Sequence, residues 1–242
     1  MKFIHLADLH IGRRINEYSL IEDQKYILDK IMGIIESEKP DAVIIAGDVY
    51  DRQIPSGEAV TLLDDFLYNI IEHNVKVLLV SGNHDSPERV AFGNRFMDKS
   101  GLYISPVYNG IINPIDVKGV NIWLMPFIRP YNVRQQFPDE AIENYTDAMK
   151  VAINKLNIDT DKTNILVAHQ NCIMESIGTM DYVDPKLFSV FDYTALGHIH
   201  KPMDVGENIR YCGSPLKYSL PTTEYDCHVP VVEINGDRKS VV

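Results

Sequence analysis

The sequence predicts an α/β layered domain with one or two mixed sheets inside. Short all-apolar runs first alternate with longer amphipathic stretches, and short β-type runs then cluster toward the C-terminus. The chain of 242 residues is long enough to bury a sizeable core, and 45% hydrophobic with 24% charged residues is the balance of a soluble globular protein. That balance excludes a disordered chain, a collagen-like repeat and a small disulfide scaffold. No apolar run reaches the roughly 18 residues of a membrane-spanning helix, and the opening MKFIHLADLHIG, broken by His5 and Asp8, does not read as a signal peptide.

The elements follow in order. Lys2–Ala7 reads as a buried strand. Asn16–Ser37 carries Leu20, Ile21, Tyr26, Ile27, Ile31, Ile34 and Ile35 at the spacing of a helix with one apolar face. Asp41–Ala46 is a second strand. Ser56–Asn74 is a second helix with Ser56 as N-cap, Val75–Val80 a third strand, and Pro87–Lys99 a third helix stopped by Gly101. Leu102–Met125 holds short β-runs and turn pairs at 109–110 and 118–119, which suggest a hairpin. Pro126–Pro138, with three prolines, reads as a loop. Glu140–Leu156 resembles a helix, and Thr163–Ala168, Tyr193–Leu196, Ile209–Cys212 and Val229–Ile234 are short strands.

Polar residues concentrate where these strands stop. The first ends in Asp8-Leu9-His10, the second in Gly47-Asp48 with Asp51 beyond, and the third in Gly82-Asn83-His84-Asp85. Two later strands end in His169 and in His198-Ile199-His200. Ligands of open α/β sheets sit at the carboxyl ends of strands, so five such ends point to one place. Imidazoles, carboxylates and one amide, with no thiolate, suit Mn²⁺, Fe²⁺ or Zn²⁺. Seven candidate ligands are too many for one ion, whereas two ions about 3.5–4 Å apart sharing a carboxylate use them economically. If the segments are extended, Asp8 and His10 share a face, and so do His198 and His200. His5, His73 and His228 are expected to be ordinary core or surface histidines. Cys172, Cys212 and Cys227 are odd in number and lack CxxC spacing, so a reduced, cytoplasmic protein without cysteine-held zinc is expected.

The motif order DLH…GDVYD…GNHD…AH…GHIH resembles the signature of the calcineurin-like metallophosphoesterase superfamily. KFIHLADLHIG, GDVYDRQIPS, ALGHIHKP and YCGSPLKYS are similar to its SbcD-like branch, the nuclease subunits of bacterial exonuclease complexes, over residues 1 to about 220. Serine/threonine phosphatases of the superfamily carry DRG and GNHE where this chain has DRQ and GNHD.

The resemblance implies a four-layer α/β/β/α sandwich with two mixed sheets flanked by helices, formed as a single metallophosphoesterase domain over residues 1–242. The family's capping and ATPase-docking region is expected to be absent, since the chain ends shortly after GSPLKYS. It also implies two divalent ions, Mn²⁺ first, with Mg²⁺, Fe²⁺ or Zn²⁺ as alternatives. One would be held by Asp8, His10 and His200 and the other by Asn83, His169 and His198, with Asp48 bridging. His84 would stay off the ions to serve the leaving oxygen, oriented by Asp51. The implied activity is two-metal phosphodiester hydrolysis of DNA ends and hairpins. The implied setting is a homodimer bound to an SbcC-like SMC-type ATPase, with the dimer surface on the Ser56–Asn74 or Pro87–Lys99 helices. A net charge of −11 is not the usual footprint of a stand-alone nucleic-acid binder. The expected DNA contacts are Arg13, Arg14, Arg129, Arg134 and Lys217, with Tyr218 beside the last. The alternatives are a stand-alone phosphodiesterase or phosphatase for a small phosphorylated substrate and a non-catalytic scaffold subunit that binds DNA ends.

Overall fold

The computed structural model describes residues 1–174, 180–218, 225–235 and 238–241. Two six-stranded mixed sheets pack face to face. The first runs β14(Arg238–Val241)-β13(Val231–Asn235)-β1(Lys2–Leu6)-β4(Ala42–Ala46)-β5(Lys76–Val80)-β6(Leu102–Ile104), with β1, β4, β5 and β6 parallel. The second runs β11(Met203–Gly206)-β12(Ile209–Tyr211)-β10(Tyr193–Gly197)-β9(Asn164–His169)-β8(Val120–Met125)-β7(Ile115–Val117), with β12, β10, β9 and β8 parallel.

Strands buried on both faces explain the continuous apolar runs. In β4, Ala42, Ile44 and Ala46 face the other sheet, while Val43 and Ile45 face helices α1(Ile21–Glu38) and α2(Gly57–Glu72). In β9, Ile165 and Val167 face inward, and Leu166 and Ala168 meet α5(Pro130–Gln136) and α6(Tyr145–Asn154). The layers are therefore α/β/β/α.

Several boundaries differ from expectation for local reasons. The helix expected from Asn16 begins at Ile21, because Asn16 takes a left-handed turn (φ 54°) between the small strands β2(Arg14–Ile15) and β3(Tyr18–Ser19). The helix expected over Pro87–Lys99 is broken into α3(Pro87–Val90), α4(Asn94–Met97) and a 3₁₀ turn, because Gly93 adopts φ 77°. The 118–119 pair does turn the β7–β8 hairpin. The 109–110 pair does not: β6 and β7 belong to different sheets, and the Asn109 carboxamide accepts from the Ile111 amide instead. The proline-rich loop contains α5, with Pro130 in its first turn, where a missing N–H costs nothing. Ser56 caps α2 as expected, its hydroxyl accepting from the Ala59 amide.

Candidate metal centre

Strands β1, β4, β5, β9 and β10 deliver their carboxyl ends to one spot across the two sheets. Asp8, His10 and His169 are fully buried, and Asp48 nearly so. His10 Nε2 lies 3.0 Å from His200 Nε2, and His200 Nε2 lies 3.9 Å from Asp8 Oδ1. On the other side, His169 Nε2 and His198 Nδ1 approach Asn83 Oδ1 at 3.0 and 2.8 Å. Asp48 stands between: its Oδ2 is 3.6 Å from His10 Nε2 and 3.4 Å from His169 Nε2, and its Oδ1 accepts from the His84 amide.

The route to this convergence is not the extended one. Asp8, His10, Asp48 and His198 account for half of the eight non-glycine residues with positive φ among the described residues, at 53°, 45°, 49° and 102°. Such backbone costs of order 1–3 kcal/mol per residue and collects at functional sites. Tight loops, not alternation, aim the side chains. Glycines make the room. A Cβ on Gly197 would sit 2.8 Å from His169 Nδ1 and 2.9 Å from Ala7 Cβ, and one on Gly47 would meet the same imidazole. His169 Nδ1 donates to the Ala46 carbonyl at 2.8 Å, which leaves Nε2 facing the centre.

The electrostatics are those of a crowded, dry cluster. Burial raises Asp8 to about 6, with the His169 charge opposing. Burial also pushes Asp48 upward, but the charges of His169 and His10 outweigh it and hold the carboxyl well below its usual range. Burial lowers His169, yet Asp48 and Asp8 overcome that and raise it to about 9. His198 and His200 fall to about 4, each through burial and then a neighbouring imidazole, His169 and His10 respectively. Imidazole nitrogens facing one another at 3.0 Å, with carboxylate and amide oxygens around them, form a donor set that fits divalent ions. Ligand atoms of Asp8, His10 and His200, of Asp8, Asp48 and His169, and of His10, Asp48 and His84 each lie within 4.8 Å of one another.

His84 is exposed and edge-on to His10, with ring centroids 4.8 Å apart. Asp51, expected to orient His84, meets it through its backbone carbonyl, 3.1 Å from His84 Nδ1. The carboxylate is taken by Arg13, at 2.7 Å, and faces His10 Nδ1 at 3.5 Å. Among the expected DNA contacts, Arg13 is thus committed to Asp51 and the Tyr218 ring, Arg14 to the Glu17 carbonyl and Arg134 to the Ile142 carbonyl. Tyr218 is buried, bonded to Leu9 and Gln24. Lys217 is exposed, as is Arg129, which lies over Phe127 beside Asn83. His5, His73 and His228 are accounted for by Tyr193, by the Asn69 carbonyl and by Arg210.

Residues 1–202 match the calcineurin-like phosphoesterase family. The chain belongs to that family. It is therefore a metal-dependent phosphoester hydrolase. The chain is 36% identical to the D component of the SbcCD nuclease of Staphylococcus epidermidis and 37% identical to that of Staphylococcus saprophyticus, in each case over 98% of this chain and 67% of the relative. Among solved structures, a dimetal phosphatase from Danio rerio superposes with a TM-score of 0.57 at 10% identity, covering 100% of this chain and 95% of its own. A Thermus thermophilus protein gives 0.55 at 12%, covering 88% and 89%. Both share the fold of this phosphoesterase.

Two supporting residues are assigned no role from the sequence. Asp85, an unassigned member of the Gly82–Asp85 run, accepts from the Val49, Tyr50 and Gly82 amides and ties two ligand loops together. Asp181 places Oδ2 3.4 Å from His198 Nε2, while Asn171 holds its other oxygen at 3.1 Å. Only the folded chain brings these partners into range. No described helix is long and apolar enough to cross a membrane.

Proposed function

We propose that this phosphoesterase is a DNA nuclease of the SbcD kind, hydrolysing phosphodiesters at DNA ends and hairpins in double-strand-break repair. The observation that carries the reading is a complete donor set in two halves about Asp48, on a chain more than one third identical to components of the SbcCD nuclease. Asp8, His10 and His200 would hold one ion and Asn83, His169 and His198 the other, with Asp48 shared and manganese the expected metal. Divalent ions bound there lower the pKa of water and offset phosphate charge. The Asp51 carbonyl keeps His84 Nδ1 as a donor, so in the imidazolium Nε2 holds the proton available to the leaving sugar oxygen, a role worth about 10²–10⁴-fold. The family setting supplies the remaining expectations: a cytoplasmic homodimer working with an SbcC-like SMC-type ATPase. Exposed Phe92 and Phe96, next to α3 and within α4, suit the dimer surface.

The test is cleavage of a labelled hairpin-ended duplex with Mn²⁺, Mg²⁺ or EDTA, alongside Asp48→Ala and His84→Gln. The expected result is metal-dependent cutting, abolished by Asp48→Ala and lost in His84→Gln although metal still binds. The net charge of −11 favours a second reading, a small phosphodiester substrate. Hydrolysis of bis-p-nitrophenyl phosphate without cutting of DNA would select it.

A further inference from the structure

A polar cleft leads away from the metal centre. Asn83, Ser81, Phe127, Arg129, Asn132 and Tyr108 are among its walls, and it encloses about 260 Å³. Arg129 stands on one rim, its guanidinium 5.4 Å from the Phe127 ring centre and its backbone amide held by Asn132 Oδ1 at 2.9 Å. On another rim, Glu88 is tied to the Ser86 hydroxyl at 3.0 Å, so an anionic chain is steered toward Arg129.

At Tyr108 and Pro126 this cleft adjoins a second cavity of about 200 Å³. The second cavity has a different character. It lies between the end of β8 and the segment joining the two sheets, and its lining is mostly apolar, including Ile104, Ile111, Ile112 and Leu124. Polar groups interrupt it at Ser105, Tyr108 and Asn113. Ser105 is only 2% exposed and its hydroxyl has no hydrogen-bond partner.

A polar cleft beside the metal centre that adjoins a mostly apolar cavity edged by Tyr108 and Asn113 matches a sugar-phosphate followed by a flat heterocycle. We infer that the Ser105–Ile111 cavity takes an unstacked nucleobase of the strand whose phosphodiester lies at the metal centre. In this arrangement Arg129 receives a neighbouring phosphate and Tyr108 packs against the base. The inference rests on the nuclease reading and extends it: the enzyme grips a frayed or single-stranded end. Every base has an apolar face, so such a pocket tolerates any sequence but requires a base.

The experiment uses the whole chain with Mn²⁺ and a single-stranded oligonucleotide. Each base flanking the scissile phosphate is replaced in turn by an abasic site, and then by 2-aminopurine. The expected profile has one position where the abasic site raises KM about tenfold or more, with a change in 2-aminopurine fluorescence on binding at that position. Ile111→Trp, at a 65% exposed residue on the cavity wall, is expected to erase the difference between intact and abasic substrate there. A flat abasic profile in the parent enzyme overturns the inference while leaving the nuclease reading intact, and it decides the matter even if the Trp variant misfolds. A position effect that persists unchanged in folded Ile111→Trp places the base elsewhere and also overturns it. Hydrolysis of bis-p-nitrophenyl phosphate with neither binding nor cutting of oligonucleotides overturns both.

Discussion

Gly82→Ala tests whether this centre depends on close placement of Asp48. A Cβ at position 82 would lie 2.8 Å from Asp48 Cγ, and closer still to Oδ1 and the backbone nitrogen of the same residue. Carbon atoms pack at about 3.5–4.0 Å, so the carboxylate, the loop or both must give way by roughly 0.7 Å or more. Position 82 has no positive φ, so the penalty comes from space alone. Asp48 cannot absorb the shift freely, because Oδ1 is held by the His84 amide at 2.8 Å while Oδ2 faces two histidines. A misplacement near 1 Å costs on the order of 10²-fold in rate, or about 2.7 kcal/mol of transition-state stabilisation. Overpacking adds about 1–3 kcal/mol of lost stability, a fall in Tm of about 2–12 °C for a chain of this size. The assay is Mn²⁺-dependent hydrolysis of bis-p-nitrophenyl phosphate, read together with calorimetric Mn²⁺ binding and a thermal melt. Gly82→Ala that melts cooperatively yet keeps activity and metal affinity within threefold of the parent would refute the reasoning.

Gly33→Ala provides the converse case: an added Cβ meets nothing within 4 Å in the middle of α1, so a gain of about 1 kcal/mol and a Tm rise of about 2–4 °C are expected. His169, raised to about 9 in the metal-free protein, carries stability that is fully present below its unfolded pKa of about 6.5 and is lost as pH climbs through 9. Between pH 6.5 and 9 the Tm in EDTA is therefore expected to fall while Mn²⁺ affinity rises. Calorimetry in buffers of different ionisation enthalpy should show protons released on binding; none released would sink the assignment. Asp85→Ala strands the amides of Val49, Tyr50 and Gly82 and is expected to cost at least about 3 kcal/mol, checked by urea denaturation. Asp181→Ala removes the partner of His198 Nε2 and is expected to weaken one of two Mn²⁺ binding steps by about 10–100-fold; a two-site isotherm unchanged in both steps would exclude that role.

The core strands and their helices are readable because burial on two faces leaves unbroken apolar runs, and burial on one face leaves a 3.6-residue period. The elements that differ lie where a single residue's backbone decides. Asn16 and Gly93 at positive φ end or divide helices that their apolar spacing would have continued. Pro130, a breaker inside a helix, is a starter in its first turn, which is why α5 stands where the prolines suggest a loop. The extended reading of the Asp8–His10 and His198–His200 pairs fails at the same level, since φ at three of these four residues is positive.

The sequence by itself determined the layered α/β class, the motif order and the residue types that gather as ligands, because these depend on local periodicity and on which side chains end the strands. Tertiary structure alone decided that Asp51 meets His84 through its carbonyl, that Asp85 and Asp181 brace the ligand loops, that Arg13 pairs with Asp51, and that Tyr218 is buried. Those contacts join residues far apart in the chain, and a lone aspartate or arginine carries no local mark of the partner that folding will bring to it.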